Sequence, residues 1–235
     1  MSDYDPDFGT DDDPADEDPD FGPHGDATID HAVTDGTFSL DGQTFEVENN
    51  IWVIGDEAEC VVIDAPHDVA EILQVIGNRR VIAILCTHGH DDHVRYAPDL
   101  ARATGSRVLL HPADLPVWNL THPHSPPDGT LRDHQLIPIA GIDLRVLHTP
   151  GHTPGAVCFY IEEFPDYPAG VVFSGDTLFS GGPGATGRSF SDHDQILESI
   201  RGRLLTLPDE TVVKTGHGPD TTIGAERENI GADES

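Results

Sequence analysis

Val81-Ile82-Ala83-Ile84-Leu85-Cys86-Thr87-His88-Gly89-His90-Asp91-Asp92-His93 is an apolar run that ends in three imidazoles and two carboxylates. A short, uninterrupted apolar segment is how a strand buried on both faces reads. The polar cluster behind it is then a loop presented by a rigid element. Imidazole nitrogen and carboxylate oxygen are the donors that a borderline-soft divalent cation such as zinc takes. His88 and His90 are two apart, so on extended backbone they project to the same side. So many titratable groups in one loop point to metal binding rather than to a solvated turn.

Three more segments repeat the arrangement. His148-Thr149-Pro150-Gly151-His152 follows the alternating run 142–147, Gly175-Asp176-Thr177 follows Val171-Val172-Phe173, and Gly216-His217-Gly218 follows Val212-Val213-Lys214. Each is a strand-like run ending in a polar residue flanked by glycine, which lets the backbone turn sharply beside a crowded centre. Any one of them alone would read as a turn. Their repetition is what carries weight.

H-x-H-x-D-H followed by Gly-His-Thr, Gly-Asp-Thr and a late Gly-His-Gly resembles the metallo-β-lactamase superfamily of metallohydrolases, over roughly residues 36 to 230. Phe173-Ser174-Gly175-Asp176-Thr177-Leu178-Phe179 and Gly216-His217-Gly218-Pro219 look most like glyoxalase II (hydroxyacylglutathione hydrolase) and its shorter relatives. The resemblance implies an α+β fold, a four-layer αββα sandwich with metals at one edge of the sheets. It implies that His88, His90 and His152 hold one metal, that Asp92, His93 and His217 hold a second, and that Asp176 bridges them. Asp92 is taken over Asp91 because it directly precedes His93. Two divalent ions are implied, zinc ahead of iron or manganese, since all three accept this donor set.

The function implied is hydrolysis of a thioester of a small thiol cofactor. Hydroxide shared by the metals would attack the acyl carbon, with water acidified from a pKa of about 15.7 to about 7. Asp92 and Asp176 would be catalytic as ligands, and Asp64, ending the strand-like run Glu59–Ile63, would support the ligand loop. An ordinary turn aspartate before Ala65-Pro66 is the other reading of Asp64. A lactonase would use the same ligands. A persulfide dioxygenase would use one iron on His88, His152 and Asp176. Glyoxalase II also has a C-terminal helical domain that the 18 residues after His217 are too short to supply, so its thiol pocket does not carry over.

The glycine-rich stretch 181–189 contains Arg188, which could anchor a substrate carboxylate or pair with a nearby acidic group. His67 and His111 lie near the candidate loops without ligand spacing. Asp91 could hydrogen-bond a metal ligand or face solvent.

Composition narrows the partners. The chain has 43 acidic and 12 basic residues, a net charge of −31. Residues 1–28 read as a disordered acidic tail in which Asp-Pro-Asp-Phe-Gly occurs twice, and 29–235 as the metallohydrolase domain. Such charge disfavours nucleic acid and anionic membranes, leaving a small-molecule acyl-thiol as the expected partner and the oligomeric state open. Cys60, Cys86 and Cys158 sit in apolar runs without paired spacing and read as buried thiols. With no secretory signal pattern, the expected location is cytoplasmic. Strands are expected near 36–40, 43–48, 50–55, 59–64, 81–86, 107–110, 135–139, 142–147, 156–161, 170–174 and 211–214. Helices are expected near 68–76, 95–104, 114–119 and 192–206.

Overall fold

In Ile51-Trp52-Val53-Ile54 every side chain is buried, yet neighbours enter different cores. Trp52 and Ile54 point into one cluster, Ile51 and Val53 into another, as the two-residue period of a strand requires. A strand covered on both faces must lie inside a stack of layers, and the computed structural model, which describes residues 27–232, has that form.

The first sheet has the order β1 (Thr28–Leu40), β2 (Gln43–Gly55), β3 (Glu59–Ile63), β4 (Arg80–Leu85), β5 (Arg107–Leu110) and β6 (Gly129–Thr130). Its first three strands pair antiparallel and the rest parallel. The second sheet runs β14 (Thr221–Thr222), β13 (Val212–Thr215), β10 (Val171–Gly175), β9 (Val157–Ile161), β8 (Ile142–His148) and β7 (Leu136–Ile139). There β10 and β13 are parallel. A two-stranded ribbon, β11 (Leu178–Phe179) with β12 (Gly182–Pro183), lies beside them.

Three cores define four layers. Trp52, Ile63 and Leu85 of the first sheet meet Leu144, Phe159 and Phe173 of the second. The outer face of the first sheet packs on α1 (Val69–Ile76), α3 (Ala97–Thr104) and α4 (Leu115–Thr121) through Ile72, Leu100 and Trp118. The second sheet packs on α5 (His193–Ser199) and α6 (Ile223–Ala232) through Ile196, Ile223 and Ile230. This is the expected αββα stack.

Several boundaries differ from the sequence reading. β1 begins at Thr28, not at 36, because the polar, alternating run 28–35 is held by β2 along its whole length. β2 is one strand through Glu48, not two. The expected helix 192–206 is α-helical to Ser199 and then widens into a π turn, Ile200–Leu204. Helix α6 was not expected, since its apolar residues show little amphipathic spacing. The acidic tail expectation falls on residues outside the described ones up to 26. All three cysteines are free and buried. No helix among the described residues is long and apolar enough to cross a membrane.

Candidate metal centre

The strands of both sheets deliver the candidate groups from their C-terminal ends, where open α/β sheets place ligands. Thr87 to His90 leave β4, and the short helix α2 (Asp91–Val94) starts at once, putting Asp92 and His93 on its first turn. β8 leads to His152, β10 to Asp176 and β13 to His217. The parallel pairing of Gly175 with Thr215 sets Asp176 beside His217.

All seven groups converge. His90 Nδ1 lies 3.1 Å from His88 Nε2 and 3.0 Å from His152 Nε2. His217 Nε2 lies 3.2 Å from His93 Nε2 and 3.3 Å from Asp92 Oδ2. Asp176 stands between the two triads. Its Oδ1 is 3.2 Å from His93 Nε2, and its Oδ2 is 3.5 Å from both His152 Nε2 and His217 Nε2.

The outward nitrogens reveal what the inward ones can do. His152 Nδ1 lies 2.9 Å from the Ala185 carbonyl and His217 Nδ1 lies 2.6 Å from that of Glu48. A carbonyl only accepts, so both Nδ1 atoms carry the proton. His93 Nδ1 donates to Asp64 Oδ2 at 2.8 Å. His88 Nδ1 meets Thr87 Oγ1 at 3.0 Å, and that hydroxyl donates to Asp64 Oδ2 at 2.8 Å. In their neutral form four imidazoles therefore turn lone pairs inward, and this outer hydrogen bonding is what orients metal-ligating histidines. Asp176 Oδ1 is buried with no hydrogen-bond partner. Lone pairs about 3 Å apart repel unless a cation or protons lie between them, and a buried orphan acceptor is costly. The donor set fits divalent metal: His88, His90 and His152 can hold one ion, and Asp92, His93 and His217 another.

Burial and charge act differently on the two triads. Desolvation holds His88 well below the usual imidazole range and draws His90 down to about 3. Burial opposes charge on His93 and His217 too, but Asp176 and Asp92 outweigh it and raise both. Burial likewise works against ionised Asp176, yet His217 and His93 hold its carboxyl well below the ordinary value.

Asp64 lies where a supporting residue would, taking Thr87 N at 2.8 Å as well as the Thr87 hydroxyl and His93. Arg188 stacks its guanidinium 4.4 Å from the Phe45 ring centre and reaches Gln43 Oε1 at 3.4 Å. Beside it, Phe38 packs 5.0 Å from the His90 ring. Asp91 turns away from the triads and bonds Arg95 and the Ser39 amide. His111 stacks on His148 outside the cluster.

Asp114 escaped the sequence reading, which placed it only at the start of a short helix. Fully buried, it accepts from Gly89 N at 2.6 Å, Gly155 N at 2.6 Å and Thr153 Oγ1 at 2.8 Å. It thus ties the loop of His88 and His90 to the loop of His152. A Cβ at Gly155 would sit 2.5 Å from Asp114 N, so only glycine permits the approach. The available signal was that glycine, three residues past His152.

Residues 45–217 match the metallo-beta-lactamase superfamily, and the chain belongs to that family. It is 31% identical over 194 residues to the hydroxyacylglutathione hydrolase GloC of Haemophilus influenzae, covering 75% of this chain and 87% of the relative. Among solved structures it is similar to TTHA1623 in a di-iron-bound form, with 32% identity, a TM-score of 0.66 and coverage of 83% of this chain and 98% of the other. It is also similar to ETHE1 from Myxococcus xanthus, with 25% identity, a TM-score of 0.67 and coverage of 84% and 83%. The superfamily and the donor clusters together support a metal-dependent hydrolase.

Proposed function

We propose that the protein is a dinuclear metal-dependent hydrolase that cleaves thioesters of a small thiol cofactor. The observation that carries this reading is Asp176, whose two oxygens face both triads at once. The similarity to a hydroxyacylglutathione hydrolase supports the thioester class. Zinc is the first choice of metal, with iron, as in the di-iron relative, or manganese as alternatives.

Two bound divalent ions would supply Lewis acidity and a water acidified to about neutral pH. The chain's own residues do the rest. His88, His90 and His152 present three neutral donors, while Asp92 and Asp176 offset the added positive charge. Asp64 fixes the His93 ring through Nδ1. Arg188, poised over Phe45 at the rim, is the positive charge that would meet a carboxylate of the thiol. A thiolate departs without a strong general acid, which suits a site built wholly of ligand-type groups. One iron on His88, His152 and Asp176 would leave Asp92, His93 and His217 converged without use, which favours the dinuclear reading over a persulfide dioxygenase.

The test is turnover of S-lactoylglutathione and related acyl-thiols, beside lactones, by the metal-loaded enzyme. Cleavage of acyl-thiols is expected. Cleavage of lactones alone, or oxygen uptake with glutathione persulfide and no hydrolysis, would refute the thioester assignment.

A further inference from the structure

Beyond Asp176, the second triad has one more corner that belongs to no ligand described so far. The side-chain amide of Asn49, fully buried on β2, points its terminal atom at all three ligand atoms. That atom lies 3.3 Å from Asp92 Oδ2, 3.4 Å from His93 Nε2 and 3.4 Å from His217 Nε2. The three ligand atoms are themselves 3.2, 3.3 and 3.7 Å apart. Six near-equal separations place the four atoms about 2.1 Å from one common point, the bond length of nitrogen and oxygen ligands to zinc; with Asp176, which faces the same triad, and a shared water, the ion there would be five- or six-coordinate.

Asn49 Nδ2 faces inward, and its Oδ1 takes a hydrogen bond from His67 Nε2 at 2.9 Å. A half-turn about the side-chain bond exchanges oxygen and nitrogen without changing the outline. With a cation at the centre, an inward NH2 would set positive hydrogens against positive charge. An inward oxygen would instead offer a lone pair. His67 serves either orientation, since a neutral imidazole donates at one nitrogen and accepts at the other. The His67 ring is itself held firmly: a Cβ at Gly36 would lie 2.2 Å from its Nδ1, so the ring fills space that only glycine leaves open.

We propose that Asn49 is a protein ligand of the second metal through its amide oxygen, positioned by His67. The proposal rests on the dinuclear reading, and the experiment separates the two. Uptake of cobalt(II) by the metal-free full-length chain is titrated and followed by its visible absorption, which strengthens as coordination number falls. The wild type should take up two ions. Asn49→Ala should bind the second ion about 10- to 100-fold more weakly, with stronger absorption from that site, while the first ion binds unchanged. Asn49→Asp, which can ligate but cannot donate to Asp92, should restore affinity and spectrum. Asn49→Ser offers a smaller deletion should the alanine variant fold poorly, and the same weakening is expected. The proposal is overturned if Asn49→Ala and Asn49→Ser bind the second ion as the wild type does. It is also overturned if Asn49→Asp is as weak as Asn49→Ala, because Asn49 would then act as a donor to Asp92. A wild-type chain that binds fewer than two ions overturns the dinuclear reading directly, and this proposal with it.

Discussion

The two triads of the centre lie side by side but are built on different principles. His88, His90 and His152 are all imidazoles, and burial disfavours charge on His88 and His90. Such a set has no charge with which to draw a cation, so it depends on geometry. Asp114 supplies that geometry by joining the two loops that carry it. Asp92, His93 and His217 include a carboxylate and share Asp176, which raises their imidazoles despite burial. This set attracts cations by charge, and Asp64 holds it through His93. The difference teaches that the supports overlap where the ligands divide: Asp114 joins the loops of the all-imidazole triad, while Asp64 reaches His93 directly and His88 through Thr87.

The strongest way to break that division is to remove what the triads share. Asp176→Asn should cost on the order of 10³ in kcat/KM, about 4 kcal/mol of transition-state stabilisation, measured by steady-state kinetics. A loss of tenfold or less would mean that the triads work independently. Chelation comes next. Ligands present at about 1,000 times their Kd stabilise a fold by about 4 kcal/mol, so the metal-free protein should melt on the order of 10 °C lower by calorimetry.

A crossed pair of variants sharpens the comparison. Asp64→Asn should weaken the Asp92–His93–His217 site about 10- to 100-fold and the His88–His90–His152 site less, through Thr87, whereas Asp114→Asn should weaken the His88–His90–His152 site alone by about 10- to 100-fold, both read in competition with a chelating dye. Equal weakening of both sites by Asp114→Asn would show that its support is not confined to one triad. The smallest effect is expected at Arg188, which is outside both triads and would meet only the thiol's carboxylate. Arg188→Ala should raise KM about tenfold with kcat little changed, because it removes binding common to ground and transition states.

Much of this was legible in the sequence because the ligands are local. His88, His90, Asp92 and His93 fall within one loop, and the three distal groups each follow a strand-like run. The layers were legible too, since two-faced burial leaves continuous apolar runs such as Val171-Val172-Phe173. Apart from Asp64, which the resemblance implied, the supports were not. Asn49 sits in Glu46-Val47-Glu48-Asn49-Asn50, an alternating polar segment that reads as exposed, and only the approach of His67 and His217 gives it a role. Asp114 has no local sign of its contacts with Gly89 and Gly155, which come from distant loops. β1 was shortened for the same reason, because its polar half is defined by β2 and not by its own residues.

The central claim is that seven side chains hold two cations joined by one carboxylate. Elemental analysis of the wild-type chain after exhaustive dialysis, paired with magnetic resonance of its manganese-loaded form, tests it most directly. Two ions per chain with spins coupled to each other are the predicted result. One ion per chain, or two that show no coupling, would contradict it.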